Sequence, residues 1–221
     1  MRAFSLYSLG LALLLALMPL QALAGEKEAL KQYVEENTLK LVDRLEGIRD
    51  VYQDDREAFY EQMNEALEGF VAFRRIAGRV MGQHGRQATE EQRDQFVRAF
   101  RRSLYDAYGG AMLDTGEFSL DVTGVQLNER NENRATVNLR VTTEGGDRYG
   151  VAYSMYRADA DSQWQMENVI VEGINIGLAF RDRFSQEMEK HGSVADVIDN
   201  WSADVADLNG LEDAVDDPED G

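Results

Sequence analysis

The spacing of the apolar residues changes twice along this chain of 221 residues, and this order constrains the fold more than any other feature. Apolar side chains first recur every three or four residues, which predicts helices over residues 26–48, 54–70 and 73–82. Over residues 118–171 they alternate with polar ones, which predicts strands, and helical spacing returns from Ile176. This order predicts an α+β fold in which a curved antiparallel sheet of about four strands packs against a helical layer.

The longest predicted helix has the clearest start. Thr89 and Gln92 have the spacing of a capping box, in which a side-chain hydroxyl and a side-chain amide each satisfy a backbone group that the first turn leaves unpaired. Large apolar side chains then follow at every fourth position: Phe96, Phe100, Leu104, Tyr108 and Met112. We expect this stripe to face the sheet.

The predicted sheet is a meander. Alternation is cleanest over residues 135–141 and 149–155, and a Gly-Gly turn lies between them, as is typical of a β-hairpin. The first strand is expected to be interrupted near Gly124, and Gly173 is expected to end the sheet. Ser193 is placed to cap a short final helix.

The first 24 residues have the pattern of a secretory signal peptide. Arg2 supplies a positive charge, an apolar run of about 12 residues follows, and Ala22-Leu23-Ala24 suits cleavage before Gly25. A helix that spans a membrane needs about 20 apolar residues. We therefore expect cleavage, release into the bacterial periplasm or the extracellular space, and no stable insertion in the membrane.

Charge and cysteine content narrow the classes of partner. The formal net charge is −18, and it becomes −19 once the segment 1–24 is removed. Such a chain is repelled by nucleic acid and by anionic membrane surfaces. There is no cysteine, which excludes disulfides and thiolate metal sites. The predicted organisation is a signal peptide over residues 1–24, one domain over residues 25–202 and a disordered acidic tail over residues 203–221.

The sequence offers little catalytic chemistry. The two histidines, His84 and His191, each lie beside a glycine near a predicted helix end, where a solvated histidine is ordinary. Metalloprotease, serine-hydrolase, phosphate-loop and dinucleotide-binding motifs are all missing from the sequence. We expect a binding protein with no metal and no cofactor, and not an enzyme.

The aromatic and methionine residues leave three interpretations open. They can fill a core, or they can line a cone between the helices and the sheet that holds an irregular apolar ligand. An enzyme with a cone-shaped site would need a buried acid or base, for which Tyr108 and Tyr153 are the candidates. A periplasmic interaction protein with a filled core is the third interpretation.

Three ordered blocks resemble the MlaC family of periplasmic phospholipid-binding proteins, also described as toluene-tolerance proteins. Residues 87–93 read QATEEQR, where the family has QATPEQR. Residues 168–176 read NVIVEGINI and resemble the family's DVIVEGVSL, and residues 73–82 resemble its F-x-x-I-A…V-L-G stretch. The chain departs from the family at Gly85, where an aromatic residue is usual, and at Asn168, where Asp is usual.

The resemblance implies a phospholipid carrier. Proteins of this family take phospholipid from an outer-membrane lipoprotein–porin complex and exchange it with an inner-membrane ABC transporter through a ring of lipid-binding subunits. By this resemblance, acyl chains enter the cone, the headgroup stays near solvent, and outer-membrane lipid asymmetry is maintained.

The expected lining of the apolar pocket has two origins. Tyr108 and Ile174 lie at positions that match pocket residues of the family. Helical spacing and strand alternation add the others, which are Leu104, Met112, Val151, Tyr153 and Met155.

Overall fold

The computed structural model describes the backbone of residues 6–114 and 118–201, and the side chains of residues 25–44, 47–48, 51–106 and 118–201. The helices are α1 Leu6–Gly47, α2 Arg49–Asp54, α3 Arg56–Leu67, α4 Phe73–Met81, α5 Glu90–Asp114, α6 Ile176–His191 and α7 Val194–Asp199. A 3-10 turn, Gly82–Arg86, joins α4 to the segment before α5.

Helix α1 begins earlier than the sequence predicts. It runs through the predicted cleavage point as one helix, because no helix-terminating cap or proline separates the apolar segment from residues 26–47. Cleavage before Gly25 stays a prediction. In the part of the chain that the structure describes, no helix is long and apolar enough to cross a membrane.

The predicted helix over residues 54–70 is wrong at both ends. Asp55 has an extended backbone and its carboxylate accepts a hydrogen bond from the Ala58 amide at 3.0 Å, so it ends α2 and caps α3. Phe70 lies beyond α3, where its carbonyl accepts a 2.7 Å hydrogen bond from the Met166 amide. This pairing ties the segment before α4 to the sheet.

Two caps that the sequence predicts are confirmed. The Thr89 amide donates to Gln92 Oε1 at 2.9 Å and the Gln92 amide donates to Thr89 Oγ1 at 3.1 Å, which is the reciprocal capping box at the start of α5. The Ser193 hydroxyl accepts a hydrogen bond from the Asp196 amide and caps α7.

The sheet is open and antiparallel, with five strands in chain order: β1 Phe118–Leu127, β2 Arg134–Thr143, β3 Arg148–Tyr156, β4 Gln165–Val171 and β5 Ile174–Asn175. A bulge between Val122 and Gly124 confirms the predicted interruption of β1. Gly173 does not end the sheet. Glu172 and Gly173 both have positive φ, 47° and 82°, which is the geometry of a tight hairpin turn that returns the chain as β5.

The core has three parts. One lies between α1 and the inner face of the sheet, where Leu30 and Val34 pack with Val137 and Leu139. A second joins α4, α5, α6 and α7, and a third joins α2, α3 and α5 around Phe59. Each is formed by the apolar stripes that the helical spacing predicts.

The direction of the α5 stripe differs from the prediction in its first half. Phe96 and Phe100 do not face the sheet but pack against Phe184, Phe180 and Trp201 of the helical core. Helix α1 covers the sheet in this region instead, since its own apolar stripe fits the inner face. The fold class is confirmed as α+β, with a different helix on the sheet.

Candidate functional site

The inner face of the sheet changes character from one strand to the next. On β2, Val137 and Leu139 are fully buried. Their cross-strand partners on β3, Tyr153 and Val151, retain accessible surface although they are central in the sheet. The same holds for Val169 and Val171 on β4, which pair with Tyr153 and Val151. The inner face is therefore only partly covered over β3 and β4, beside its closed core.

Tyr153 places a polar hydroxyl on this partly covered face. Burial raises the pKa of Tyr153, and the nearby Thr38 hydroxyl on α1 opposes that shift with a smaller effect. Thr38 is only 4% exposed, and its Oγ1 has no hydrogen-bond partner among the described residues. Its hydroxyl can donate one hydrogen bond and accept others. An apolar interior thus holds an unused hydroxyl next to partly accessible surface.

Aromatic rings connect this point to the neighbouring elements. The ring of Phe70 lies 6.2 Å from that of Tyr153 and 6.0 Å from that of Tyr33 on α1. Burial also raises the pKa of Tyr33. These rings form one wall between α1, the segment before α4 and β3.

Five of the seven expected lining residues have described side chains, and they lie around this wall or beside it. Leu104 on α5 is partly buried and packs against both the sheet core and the helical core. Met155 is a fully buried member of the sheet core, next to the accessible pair of Val151 and Tyr153 on β3. Ile174 on β5 pairs with Val171 and so shares its face. The side chains of Tyr108 and Met112 lie outside the described residues.

Sequence reasoning missed Thr38, Tyr33 and Phe70. The first carries a usable signal, because Thr38 follows Leu30 and Val34 at the same four-residue step and is the polar member of a buried stripe. Phe70 gives no such signal, since it is buried by pairing with a strand almost 100 residues later.

The strand that carries Ile174 is held by an amide network. Asn168 Oδ1 accepts a 3.0 Å hydrogen bond from the Gly177 amide, and its Nδ2 donates at 3.0 Å to Asn175 Oδ1. Asn175 in turn caps α6 by accepting from the Leu178 amide at 3.0 Å. An aspartate at position 168 would accept the first bond but would have no donor for the second. This explains how asparagine works where the family usually has Asp.

Neither histidine lies on the sheet. His84 is in the 3-10 turn, and His191 is at the end of α6, where its Nε2 lies 3.2 Å from a carboxylate oxygen of Glu187. Among the residues whose side chains are described, no cluster of three His, Asp or Glu residues is placed to hold a metal ion.

The fold is that of a known structural class. It matches the structure of a phospholipid-binding protein from Ralstonia solanacearum, solved in complex with a phospholipid, with a TM-score of 0.67. The two sequences are 16% identical, and the match covers 76% of this chain and 92% of that chain. The likeness establishes a shared fold.

The sequence comparisons are more specific. The family model described as MlaC protein matches residues 35–203. The toluene tolerance protein Ttg2D of Pseudomonas putida is 34% identical over 199 residues, which are 89% of this chain and 90% of the relative. The chain belongs to the MlaC protein family, as its three sequence blocks predict.

Proposed function

We propose that this protein is a soluble periplasmic carrier that binds a phospholipid, with the acyl chains between α1, α5 and the inner face of β3 to β5. It would carry the lipid between an outer-membrane lipoprotein–porin complex and the lipid-binding ring of an inner-membrane ABC transporter. The observation that carries the proposal is the accessible inner face at Val151 and Tyr153, inside a fold shared with a phospholipid-bound relative.

Energetics favour a closed carrier that docks on proteins. Two acyl chains hold roughly 30 methylenes, and each contributes about 0.8 kcal/mol on leaving water, which gives roughly 24 kcal/mol in all. Exposing both chains to water in transit would therefore impose a prohibitive barrier. Direct docking lets the chains pass between apolar environments, and repulsion between this acidic chain and an anionic bilayer favours docking on proteins.

The environment of Tyr153 supports binding over catalysis. Burial raises its pKa above the ordinary value of 10, so the phenol keeps its proton near neutral pH and is a poor general base. A protonated phenol beside apolar surface is suited to donating a hydrogen bond to an ester or phosphate oxygen of a lipid. The role proposed for Tyr153 is therefore binding.

The test is native mass spectrometry of the protein from residue 25 onward, with organic extraction of the same sample. We expect a phospholipid to co-purify at a fixed stoichiometry. Val151→Phe, which fills the inner face, should reduce the lipid content, whereas Ala152→Phe, on the opposite face of the same strand, should leave it unchanged. Absence of lipid from the native chain, or equal loss in both folded variants, would overturn the proposal.

A further inference from the structure

Three arginines surround one buried carboxylate on the outer side of the sheet. Glu167 on β4 is 3% exposed and accepts hydrogen bonds from Arg75 Nε, from Arg79 Nη2 at 2.8 Å and from Arg134 Nη1. The guanidinium carbons of Arg75 and Arg134 also lie 3.8 and 5.7 Å from the centre of the Tyr156 ring. The carboxylate and the ring thus hold the arginines in place.

These arginines carry more charge than their partner neutralises. Three cations meet one anion, and the arginine side chains are 35%, 43% and 34% exposed. One carboxylate has about four lone-pair sites, whereas three guanidinium groups have fifteen N–H donors between them, so many donors stay available to another anion. The cluster is a fixed positive site on an acidic protein.

A groove opens beside this cluster. It has a volume of about 650 Å³, and its lining includes Arg79, Arg130 and Arg134 together with Glu129, Thr136 and Ser154. Thr136 and Ser154 alternate with the inward-facing Val137 and Tyr153, so this part of the groove lies on the face opposite the proposed lipid site, while its inner end reaches Met155. We call it the arginine groove.

The remaining charge of the protein limits what can occupy this groove. Residues 25–201 have a formal net charge of −11, and residues 202–221 contain eight acidic residues and no basic one. An acidic segment is repelled by most of such a body and attracted where positive charge is concentrated. We propose that the acidic C-terminal segment, residues 203–221, docks in the arginine groove of its own chain.

The point where the described chain ends is compatible with this contact. Trp201 packs against Phe184 of α6, and Arg181 on the same helix lines a second groove of about 370 Å³ together with Arg79 and Glu167. Twenty further residues reach up to about 66 Å when fully extended, at about 3.3 Å per residue. The segment can follow α6 to the arginine groove without a change in the fold.

The test uses the absence of cysteine from the sequence, which allows one spin label at Ala214→Cys in the full chain from residue 25. At low salt we expect the label to broaden the amide signals of Thr136 and Ser154 more strongly than that of Val34, which is buried on the other face of the sheet. Raising the ionic strength from about 0.01 to 1 M shortens the Debye length from about 30 to about 3 Å, so the broadening should disappear.

Variants of both partners complete the test. Neutralising all eight acidic residues of the segment should abolish the broadening without touching the folded domain. The changes are Asp204→Asn, Asp207→Asn, Glu212→Gln, Asp213→Asn, Asp216→Asn, Asp217→Asn, Glu219→Gln and Asp220→Asn. Arg134→Gln should weaken it, whereas Arg98→Gln, an exposed change of the same charge on α5, should not. Thermal unfolding of Arg134→Gln checks that the groove stays folded.

Three outcomes would overturn the proposal. The first is no broadening at Thr136 and Ser154, and the second is broadening that survives in the neutralised segment. The third comes from mixing isotope-labelled chains without a spin label with spin-labelled chains at natural abundance. Broadening that persists at full strength in that mixture would assign the contact to a second copy and not to the same chain.

Discussion

The hydroxyl of Tyr153 on β3 lies near that of Thr38 on α1, and Thr38 Oγ1 is buried without a hydrogen-bond partner among the described residues. The two residues are 115 positions apart and lie between the helix that covers the sheet and the open part of its inner face. These polar side chains lie where the closed core borders partly accessible surface. Substituting each of them in turn measures what each hydroxyl contributes to stability.

Thr38→Val should leave the free energy of unfolding unchanged or raise it by up to about 1 kcal/mol, because it removes a buried hydroxyl that has no hydrogen-bond partner among the described residues. Since no hydrogen bond joins the two side chains, a double-mutant cycle with Tyr153→Phe should give a coupling free energy below about 0.5 kcal/mol. Urea unfolding of the four proteins measures both quantities. A clear loss of stability in Thr38→Val, or a coupling above about 1 kcal/mol, would contradict the prediction.

Buried tyrosines predict a loss of stability at alkaline pH. Burial raises the pKa of Tyr105 well above its ordinary value of 10, and it raises that of Tyr153 as well. Above pH 10 the unfolded chain loses these protons while the native chain keeps them, so the free energy of unfolding falls as the pH rises. Below pH 10 these tyrosines are protonated in both the native and the unfolded chain, so their full contribution to the free energy of unfolding is present.

Tyr105→Phe should therefore flatten the alkaline limb by up to about 1.4 kcal/mol per pH unit. Denaturant midpoints at pH 9, 10 and 11 give the slope. The difference between the native chain and the variant at pH 8 corrects for the lost hydrogen bond from the Tyr105 hydroxyl to Asn64. Parallel curves above pH 10 would contradict the prediction.

Two glycine substitutions should have opposite signs. A Cβ at Gly177 would lie 2.4 Å from Asn168 Oδ1, so Gly177→Ala must displace the amide that joins β4 to α6. We expect it to destabilise the protein by about 1–3 kcal/mol. Gly78→Ala lies within α4 with nothing within 4 Å of the new Cβ and should stabilise it by about 0.5–1 kcal/mol. Thermal unfolding of both variants distinguishes the signs, and a neutral Gly177→Ala would show that Asn168 can move freely.

Removing the charge of Glu167 should be costly. Glu167→Gln leaves three guanidinium groups without their buried counter-charge and turns an amide N–H₂ toward donors, and we expect a loss of about 3 kcal/mol. The matched change Glu144→Gln, at an exposed turn, should stay within about 0.5 kcal/mol. Chemical denaturation measures both. Equal losses of stability in the two variants would mean that the fold tolerates the three arginines without the Glu167 charge.

Local features of the fold were accessible from the sequence. The capping box of Thr89 and Gln92, the bulge near Gly124 and the class of fold are all confirmed. Each depends on residues close together in the chain or on the period of the apolar pattern. The helix break at Asp55 also has a local cause, because aspartate is a favoured N-cap residue and Asp55 accepts a hydrogen bond from the Ala58 amide. The apolar spacing continues through this position, so periodicity alone does not show the break.

The tertiary structure decided which helix packs against which part of the core. Periodicity showed that α5 has an apolar stripe, but it did not show that Phe96 would meet Phe184 and Trp201 while α1 covered the sheet. Several amphipathic helices compete for one inner face, and only the packing of all of them decides which one covers it.

The sequence by itself therefore determined the family, the order of helices and strands and the acidic character of the chain, because these depend on local pattern and composition. The tertiary structure decided that Thr38 meets Tyr153 and that Glu167 meets Arg75, 92 residues earlier. Such pairs depend on how buried polar groups find partners once the layers have packed. No spacing along the chain encodes that choice.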